Sequence, residues 1–537
     1  MDKSSHWWKG GVIYQIYPRS FADSNGDGVG DLLGIISRLE YLQDLGVDAI
    51  WLSPVYPSPM VDFGYDVSDY CGIDPLFGTL DDFDSLVREA HARNIHVIMD
   101  LVLNHTSDQH PWFLESRSSR ENPHRDWYIW RDGKPGGKRP NNWASIFGGW
   151  AWDYDKTTSQ YYYHMFCPQQ PDLNWRNPQV RAAMMEVFRF WMDRGVDGFR
   201  LDVFNQYFKD AQFRDNPQKP GIRPFERQVH LHDTDQPEML GVVEEIRQVT
   251  DVYPERYVVG ESFLVGPEGA AKYMGDGKLH AAFNFELLNC TWDAGRMQAA
   301  LQRWENALAE DAWPTLVLNN HDNKRSSSRY RTGENDDRNK AAAVLLLTAR
   351  GTPYLYYGEE IGMRNIHVPY SQIQDPPGKR YFPFFPTRDA CRSPMQWDNN
   401  PQSGFSSSDP WMAVHPDYPF RNAAAQRDDP ESLYNVYRKL IALRKEHKAL
   451  QEGLYMPLTF EPKTLMAYLR QTKDEMILVA INFGRKPVRL FLGSDLAGKN
   501  WNLLLSTRRE ELDQPKGNAL RLLGNEALVV SLDQESG

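Results

Sequence analysis

Cysteine is scarce. The 537 residues hold four, Cys71, Cys167, Cys290 and Cys391, far apart and without a CxxC pair. That spacing excludes a zinc ribbon and suits a reducing compartment in which buried, inert thiols pack as small apolar groups. Long apolar runs are also missing: the most conspicuous, Ala341 to Ala349 (AAAVLLLTA), falls far short of the roughly 20 residues that cross a bilayer. The opening MDKSSHWWKGG has no apolar stretch behind its lysine, so no secretory leader and a cytoplasmic location are expected. Positive charge is short as well, with 60 Lys and Arg against 72 Asp and Glu and a net charge of −12. Without a basic run, such a chain repels phosphate backbones, and neither nucleic acid nor a membrane is expected as partner. No internal repeat and no low-complexity tract is present.

What is plentiful is aromatic: 13% of the residues, with 17 Trp and 26 Tyr. Such rings suit sugar faces and large cores alike. Eight short apolar runs recur along the chain: Val12–Tyr17, Asp48–Leu52, His96–Leu103, Gly198–Val203, Arg256–Glu261, Ala281–Phe285, Thr315–Asn319 and Pro353–Tyr357. Most are separated by segments of helical period, among them Leu32–Leu45, Leu80–Ala92 and Asn177–Arg194. Buried parallel strands alternating with helices predict an α/β fold, a (β/α)8 TIM barrel. The first run leads into Tyr17-Pro18-Arg19-Ser20 instead of a Gly-rich phosphate loop, which counts against a nucleotide-binding sheet. The expected organisation is a barrel over 1–104 and 172–450, an inserted domain over 105–171 after the third strand, and a C-terminal antiparallel β-sandwich over 451–537.

In such a barrel the working residues sit at the C-terminal strand ends. Those ends carry Asp100, Asp202, Glu261 and Asp322, with His105 and His321 beside two of them. Clustered carboxylates bind a divalent metal, divide a proton between acid and base, or cleave a glycosidic bond. The last, with retention, needs a nucleophile and a proton donor about 5–5.5 Å apart, a separation that adjacent strands four and five can supply.

Four motifs in order, Asp100-Leu-Val-Leu-Asn-His105, Gly198-Phe-Arg-Leu-Asp202, Gly260-Glu261-Ser262 and Asn320-His321-Asp322, resemble the α-amylase clan of glycoside hydrolases, family 13. A fifth, Gln170-Pro-Asp-Leu-Asn174, resembles the marker of its oligo-1,6-glucosidase and α-glucosidase branch. The resemblance implies that Asp202 is the nucleophile, Glu261 the general acid and then base, and Asp322 the stabiliser of an oxocarbenium-like sugar. Arg200, two residues before Asp202 on the same strand face, is placed to keep the nucleophile ionised. Burial beside other acids is expected to keep Glu261 protonated.

The same resemblance makes His105 and His321 donors to hydroxyls of the sugar in the −1 subsite. Tyr65 and Asp66 match its stacking aromatic and hydroxyl-binding acid, and Arg392 the arginine that pairs with that acid and closes the subsite. Phe147 and Phe166 are further wall candidates. Val203, after the nucleophile, leans towards α-1,6 bonds, although Phe204 departs from the usual Ile or Val. The loop Asp23, Asn25, Asp27, Val29, Asp31 spaces oxygen donors at alternate positions. In the family this loop holds a structural Ca2+ or Mg2+; no cofactor is expected for catalysis.

The expected function is a retaining exo-acting α-glucosidase that releases terminal glucose from short α-1,6- or α-1,4-linked oligosaccharides. The alternative on the same scaffold is a transglucosylase or a sucrose or trehalose isomerase. Sucrose isomerases carry an Arg-Leu-Asp-Arg-type loop where this chain has Ser326-Ser-Ser-Arg-Tyr330. A catalytically dead, transport-linked relative is disfavoured because the three acids are all present.

Overall fold

The computed structural model describes residues 6–283, 285–333, 335–458, 463–493, 496, 499–511 and 519–532. The first five residues, read above for a leader, lie outside them. Eight parallel strands form one sheet: β1 (Ile13–Ile16), β2 (Ala49–Leu52), β3 (His96–Leu101), β4 (Gly198–Leu201), β5 (Tyr257–Gly260), β6 (Ala281–Ala282), β7 (Thr315–Val317) and β8 (Thr352–Tyr356). The ladder runs β7-β8-β1-β2-β3-β4-β5-β6. Between its two ends, Thr315 Oγ1 donates to the Ala282 carbonyl at 2.9 Å, so a side chain helps close the (β/α)8 barrel.

Every strand but β2, which ends with its run at Leu52, stops one to three residues before the end that its apolar run suggests. Asp202 and Glu261 are among the residues left over, which turn out of the ladder into the loops.

The helices follow from amphipathic period and caps. α1 (Leu32–Ser37) and α2 (Leu39–Leu45) replace the single helix expected over Leu32–Leu45; Arg38, at φ −111° and ψ 5°, breaks it. α3 (Leu80–His91) starts on a capping box in which Thr79 and Asp82 satisfy each other's backbone N–H. α4 (Pro178–Asp193) has Asn177 as N-cap and Pro178 in the first turn. α5 (Asp337–Thr348) contains most of the longest apolar run and is buried almost all round, because it is packed between α6 (Leu433–Glu446) and the C-terminal sheet. Among the described residues no helix is long and apolar enough to cross a membrane.

The segment 105–171 carries a three-stranded antiparallel sheet, Trp130–Arg131, Gln160–Tyr163 and Trp152–Asp155 in spatial order. After Gly453 the described chain forms a five-stranded antiparallel sheet and a two-stranded ribbon, Val488–Phe491 with Ala519–Leu522. Alternate residues of the larger sheet face opposite ways. Met466, Tyr468, Ile477 and Val479 join the barrel's core, while Leu465, Ala467, Leu478 and Ala480 pack with the ribbon. All four cysteines are free thiols; Cys167 and Cys391 are buried, but Cys71 and Cys290 are only half-buried, against expectation.

Candidate active site

Asp202 and Glu261 are the first residues past β4 and β5, and Asp100 is the next-to-last of β3. The strand spacing persists one step beyond the strands: Asp202 N–H donates to the Leu101 carbonyl at 2.9 Å and Glu261 N–H to the Leu201 carbonyl at 2.8 Å. Arg200, on the same face of β4 as Asp202, is fully buried. Its Nη1 donates to Asp100 Oδ1 at 2.7 Å and to Asp202 Oδ1 at 2.6 Å, and its Nη2 to Glu261 Oε2 at 2.5 Å. Two carboxylates are thus held on adjacent nitrogens of one planar guanidinium and face the same barrel mouth.

Three buried acids share that one cation. Burial pushes the Asp100 carboxyl up to about 6 against the pull of Arg200. It also raises Asp202, where Arg200 opposes and the charges of Glu261 and Asp100 add. The expectation that Arg200 is placed to keep Asp202 ionised therefore has the right sign for the arginine and misses the larger effect of burial. Burial and the repulsion among these carboxylates work against Arg200 at both aspartates.

Asp322 differs. Burial disfavours its charge too, but His321, Arg388 and Arg392 outweigh burial and hold it well below the usual carboxylate range. It stays ionised beside the other three acids.

His321 Nδ1 faces Gln15 Nε2 at 2.7 Å, so its Nε2 carries the proton towards Tyr65 Oη at 2.7 Å and Asp322 Oδ2 at 3.4 Å. The Tyr65 hydroxyl continues the chain to Asp100 Oδ2 at 3.1 Å. His105 Nε2 lies 3.0 Å from the Tyr65 carbonyl and 3.1 Å from Gln170 Nε2. Burial lowers His105 to about 4 and His321 to about 3, so both act as neutral rings near pH 7. Phe166 packs on His105, and Phe147 crosses the edge of Phe166 at 5.4 Å, which places both expected wall residues around one space.

Val203 N–H reaches Glu261 Oε2 at 3.3 Å from a backbone φ of +35°, a strained position for a β-branched residue. The unusual Phe204 has a local reason. Its ring lies over Gly260, where a Cβ would come within 2.5 Å of it, so the glycine before Glu261 makes room for the phenylalanine after Val203.

Two sequence assignments need correction. Asp66 does not face Arg392: its oxygens accept from the Ser58 hydroxyl and the N–H groups of Val61 and Asp62, closing the loop that presents Tyr65. Arg392 instead donates to Asp322 Oδ1 at 2.8 Å and to the His321 carbonyl. The acid near the site is Asp62, bound by Arg388 Nη2 at 2.7 Å, and Arg388 is itself anchored by Asp375. Both were legible as neighbours of the motifs quoted, Asp62 three residues before Tyr65 and Arg388 four before Arg392. A cleft of about 790 Å3, bounded by Asp322, Phe147, Arg388 and Phe263, opens above this wall.

The marker motif has a structural place. Asp172 Oδ2 binds the fully buried Lys209 Nζ at 2.5 Å and Asn104 Nδ2 at 2.8 Å, and Lys209 also reaches Asn104 Oδ1. Asp172, the residue before His105 and the loop after Asp202 are thereby tied together.

In the 23–31 loop the carboxylates turn on their own chain. Asp23 accepts from the N–H of Asn25, Gly26 and Gly28 and from the Ser406 hydroxyl, Asp27 from Val29 N–H, and Asp31 from Ser24 and Gly34. Among the described residues no group of three or more His, Cys, Asp or Glu side chains is gathered to hold a metal ion. The loop's order is accounted for by its own hydrogen bonds; a cation there has to draw on Asn25 Oδ1 and the Val29 carbonyl besides the acids.

A family described as the α-amylase catalytic domain matches residues 15–453. A probable α-glucosidase of Rhizobium meliloti is 45% identical over 497 residues, covering 90% of each chain. An oligo-1,6-glucosidase of Parageobacillus thermoglucosidasius is 41% identical, over 93% of this chain and 94% of its own. Among solved structures, the α-glucosyl transfer enzyme XgtA superimposes with a TM-score of 0.93 at 42% identity, over 98% of this chain and all of its own. An isomaltulose synthase of Erwinia rhapontici NX5, crystallised with sucrose, reaches 0.91 at 36% identity, over 99% and 100%.

Proposed function

The chain belongs to the α-amylase family of glycoside hydrolases, family 13, and from that premise we propose that it is a retaining exo-acting α-glucosidase on short oligosaccharides. The observation that carries the reading is the sharing of Arg200 by Asp202 and Glu261. In the first step an Asp202 oxygen attacks the anomeric carbon, the glycosidic bond breaks, and Glu261 gives its proton to the leaving oxygen. In the second, Glu261 takes a proton from water, whose oxygen displaces Asp202 and releases glucose with its original configuration. Asp322 offsets the positive charge of the ring in both steps.

The exo character rests on the far wall. Asp62, Arg388, Asp322 and Arg392 form a continuous ion-paired barrier, which supports reading that end as closed to all but a terminal glucose. Val203 supports acceptance of α-1,6 bonds. The deciding experiment gives the protein maltose, isomaltose, sucrose and trehalose and follows the products and the anomer first formed. α-Glucose from maltose or isomaltose supports the reading; β-glucose first, or no glucose from any of the four, ends it. A second reading, glucosyl transfer or isomerisation, is favoured by the whole-chain likeness to a transfer enzyme and an isomaltulose synthase. Isomaltulose or trehalulose as the main product from sucrose would establish it.

A cytoplasmic location is part of the proposal, supported by four unpaired thiols. So is a structural Ca2+ or Mg2+ in the 23–31 loop, on the spacing of its oxygen donors alone. A melting temperature raised by Ca2+ over EDTA, with the rise abolished by Asp27→Ala, supports the cation; equal values in both buffers dismiss it.

A further inference from the structure

Away from the catalytic cluster, a cleft of about 860 Å3 lies between the loop after β2, the start of the inserted segment and α4. Its apolar faces are the half-buried rings of Trp112 and Phe190; its polar groups include His110, Asp69, Glu186 and Arg189. The rings are braced from behind, Trp112 against His110 at 4.4 Å and Trp127 at 4.7 Å. Tyr70, at the back, is fixed by hydrogen bonds to the Val102 and His105 carbonyls.

His110 is the telling residue. It is 5% exposed, and its Nδ1 accepts the N–H of Trp112, so the proton sits on Nε2. That Nε2–H has no protein partner among the hydrogen bonds of the described residues. Burial lowers the ring to about 4, so it is a neutral donor. The ring thus presents its one N–H to the cleft, free to donate to a ligand bound there.

We infer that this cleft binds an α-linked oligosaccharide at a second site, remote from the bond-cleaving one. Flat rings take the C–H face of a pyranose. The neutral imidazole and the guanidinium donate to its hydroxyl oxygens, and the carboxylates accept from its hydroxyl protons. With Asp69, Glu186 and Asp193 against Arg189 alone, the lining is net acidic and disfavours phosphorylated sugars and nucleic acid. The choice of a glucoside rests on the function proposed above.

The test is calorimetric titration of the Asp202→Asn protein with maltotriose and isomaltotriose. Two molecules bound per chain are expected, falling to one when Trp112→Ala is added and returning to two with Trp112→Phe. If Trp112→Ala does not fold, Glu186→Gln with Asp69→Asn replaces it, with at least a tenfold weakening of the second equivalent expected. In the otherwise native protein Trp112→Ala should leave kcat/KM on 4-nitrophenyl α-glucoside unchanged. One equivalent before and after Trp112→Ala, while the native protein still hydrolyses maltose, overturns the second site and leaves the proposed function standing. Binding of choline in place of the oligosaccharides, the alternative for an acidic aromatic cleft, overturns it equally.

Discussion

At Asp202 and Glu261 the two steps of a double displacement make opposite demands on side chains that hold the same guanidinium. Glu261→Gln removes the proton donor but keeps a hydrogen-bonding group for Arg200. A loss of about 10^2–10^4 in kcat on maltose is expected. On 4-nitrophenyl α-glucoside, whose leaving group needs no proton, the first step should be nearly spared and a burst of nitrophenol should precede slow turnover. Asp202→Asn removes the nucleophile and should be slow on both substrates without a burst. Absence of a nitrophenol burst from Glu261→Gln, with the first step as slow as on maltose, would show that Glu261 is not the acid.

The corrected wall gives a second residue-scale contrast. Asp62→Asn leaves Arg388 short of a partner beside the terminal sugar and should raise KM for maltose about tenfold or more. Asp66→Asn disturbs the Ser58–Asp62 turn and should lower the melting temperature more than it alters KM for 4-nitrophenyl α-glucoside. The reverse pattern would restore the sequence assignment. That assignment went astray for a physical reason. Asp62 and Asp66 flank Tyr65 in one loop, and only the direction in which each carboxylate turns separates a ligand from a loop staple. Direction is set by backbone N–H groups that no spacing reveals, whereas the acids at strand ends were legible because strand period fixes where they point.

Elements rather than residues decide what Lys209 and Glu359 do. Lys209 and Asp172 are wholly buried and join three chain segments. Lys209→Met strands a carboxylate in the interior, a loss of about 3–5 kcal/mol by analogy with other broken buried pairs. Because Asn104 precedes His105, kcat should fall as well as stability; urea denaturation with kinetics on maltose checks both, and unchanged kcat would confine the pair to stability.

Glu359, just past β8, is buried against the hydroxyl of Tyr437 and the N–H of Tyr356, and burial pushes it up to about 7. Its folded value exceeds its unfolded one, so the folded chain binds the extra proton. Stability from this group is full below about 4.5 and is lost as pH rises towards 7. Glu359→Gln should therefore gain in melting temperature relative to the native protein between pH 5 and 7, with a constant difference above. A difference that does not vary with pH would show that Glu359 is ionised in the fold throughout.

Taken as a whole, the molecule does not divide where its sequence changes character. The catalytic-domain match ends at residue 453, and the pattern of short alternating segments begins there. The large C-terminal sheet is nevertheless apolar on both faces, and one of them completes the core above α5 and α6. Two buried arginines bind the seam. Arg470 donates to the Thr348, Leu450 and Gly453 carbonyls, and Arg444 to those of Leu347, Leu450 and Gly351. Alternation predicts a sheet with one wet face. This one is dry on both because the barrel lies on one side and the ribbon on the other, a tertiary fact that period alone cannot carry. A chain ending at Gly453 exposes the apolar ring of α5 and leaves carbonyl partners of Arg444 without their cover. It should elute as aggregate in gel filtration, bind a hydrophobic dye, and hydrolyse maltose at less than a hundredth of the native rate. A monomeric truncated chain with native kinetics would mean that the barrel holds its own core and that the C-terminal sheet only rests upon it.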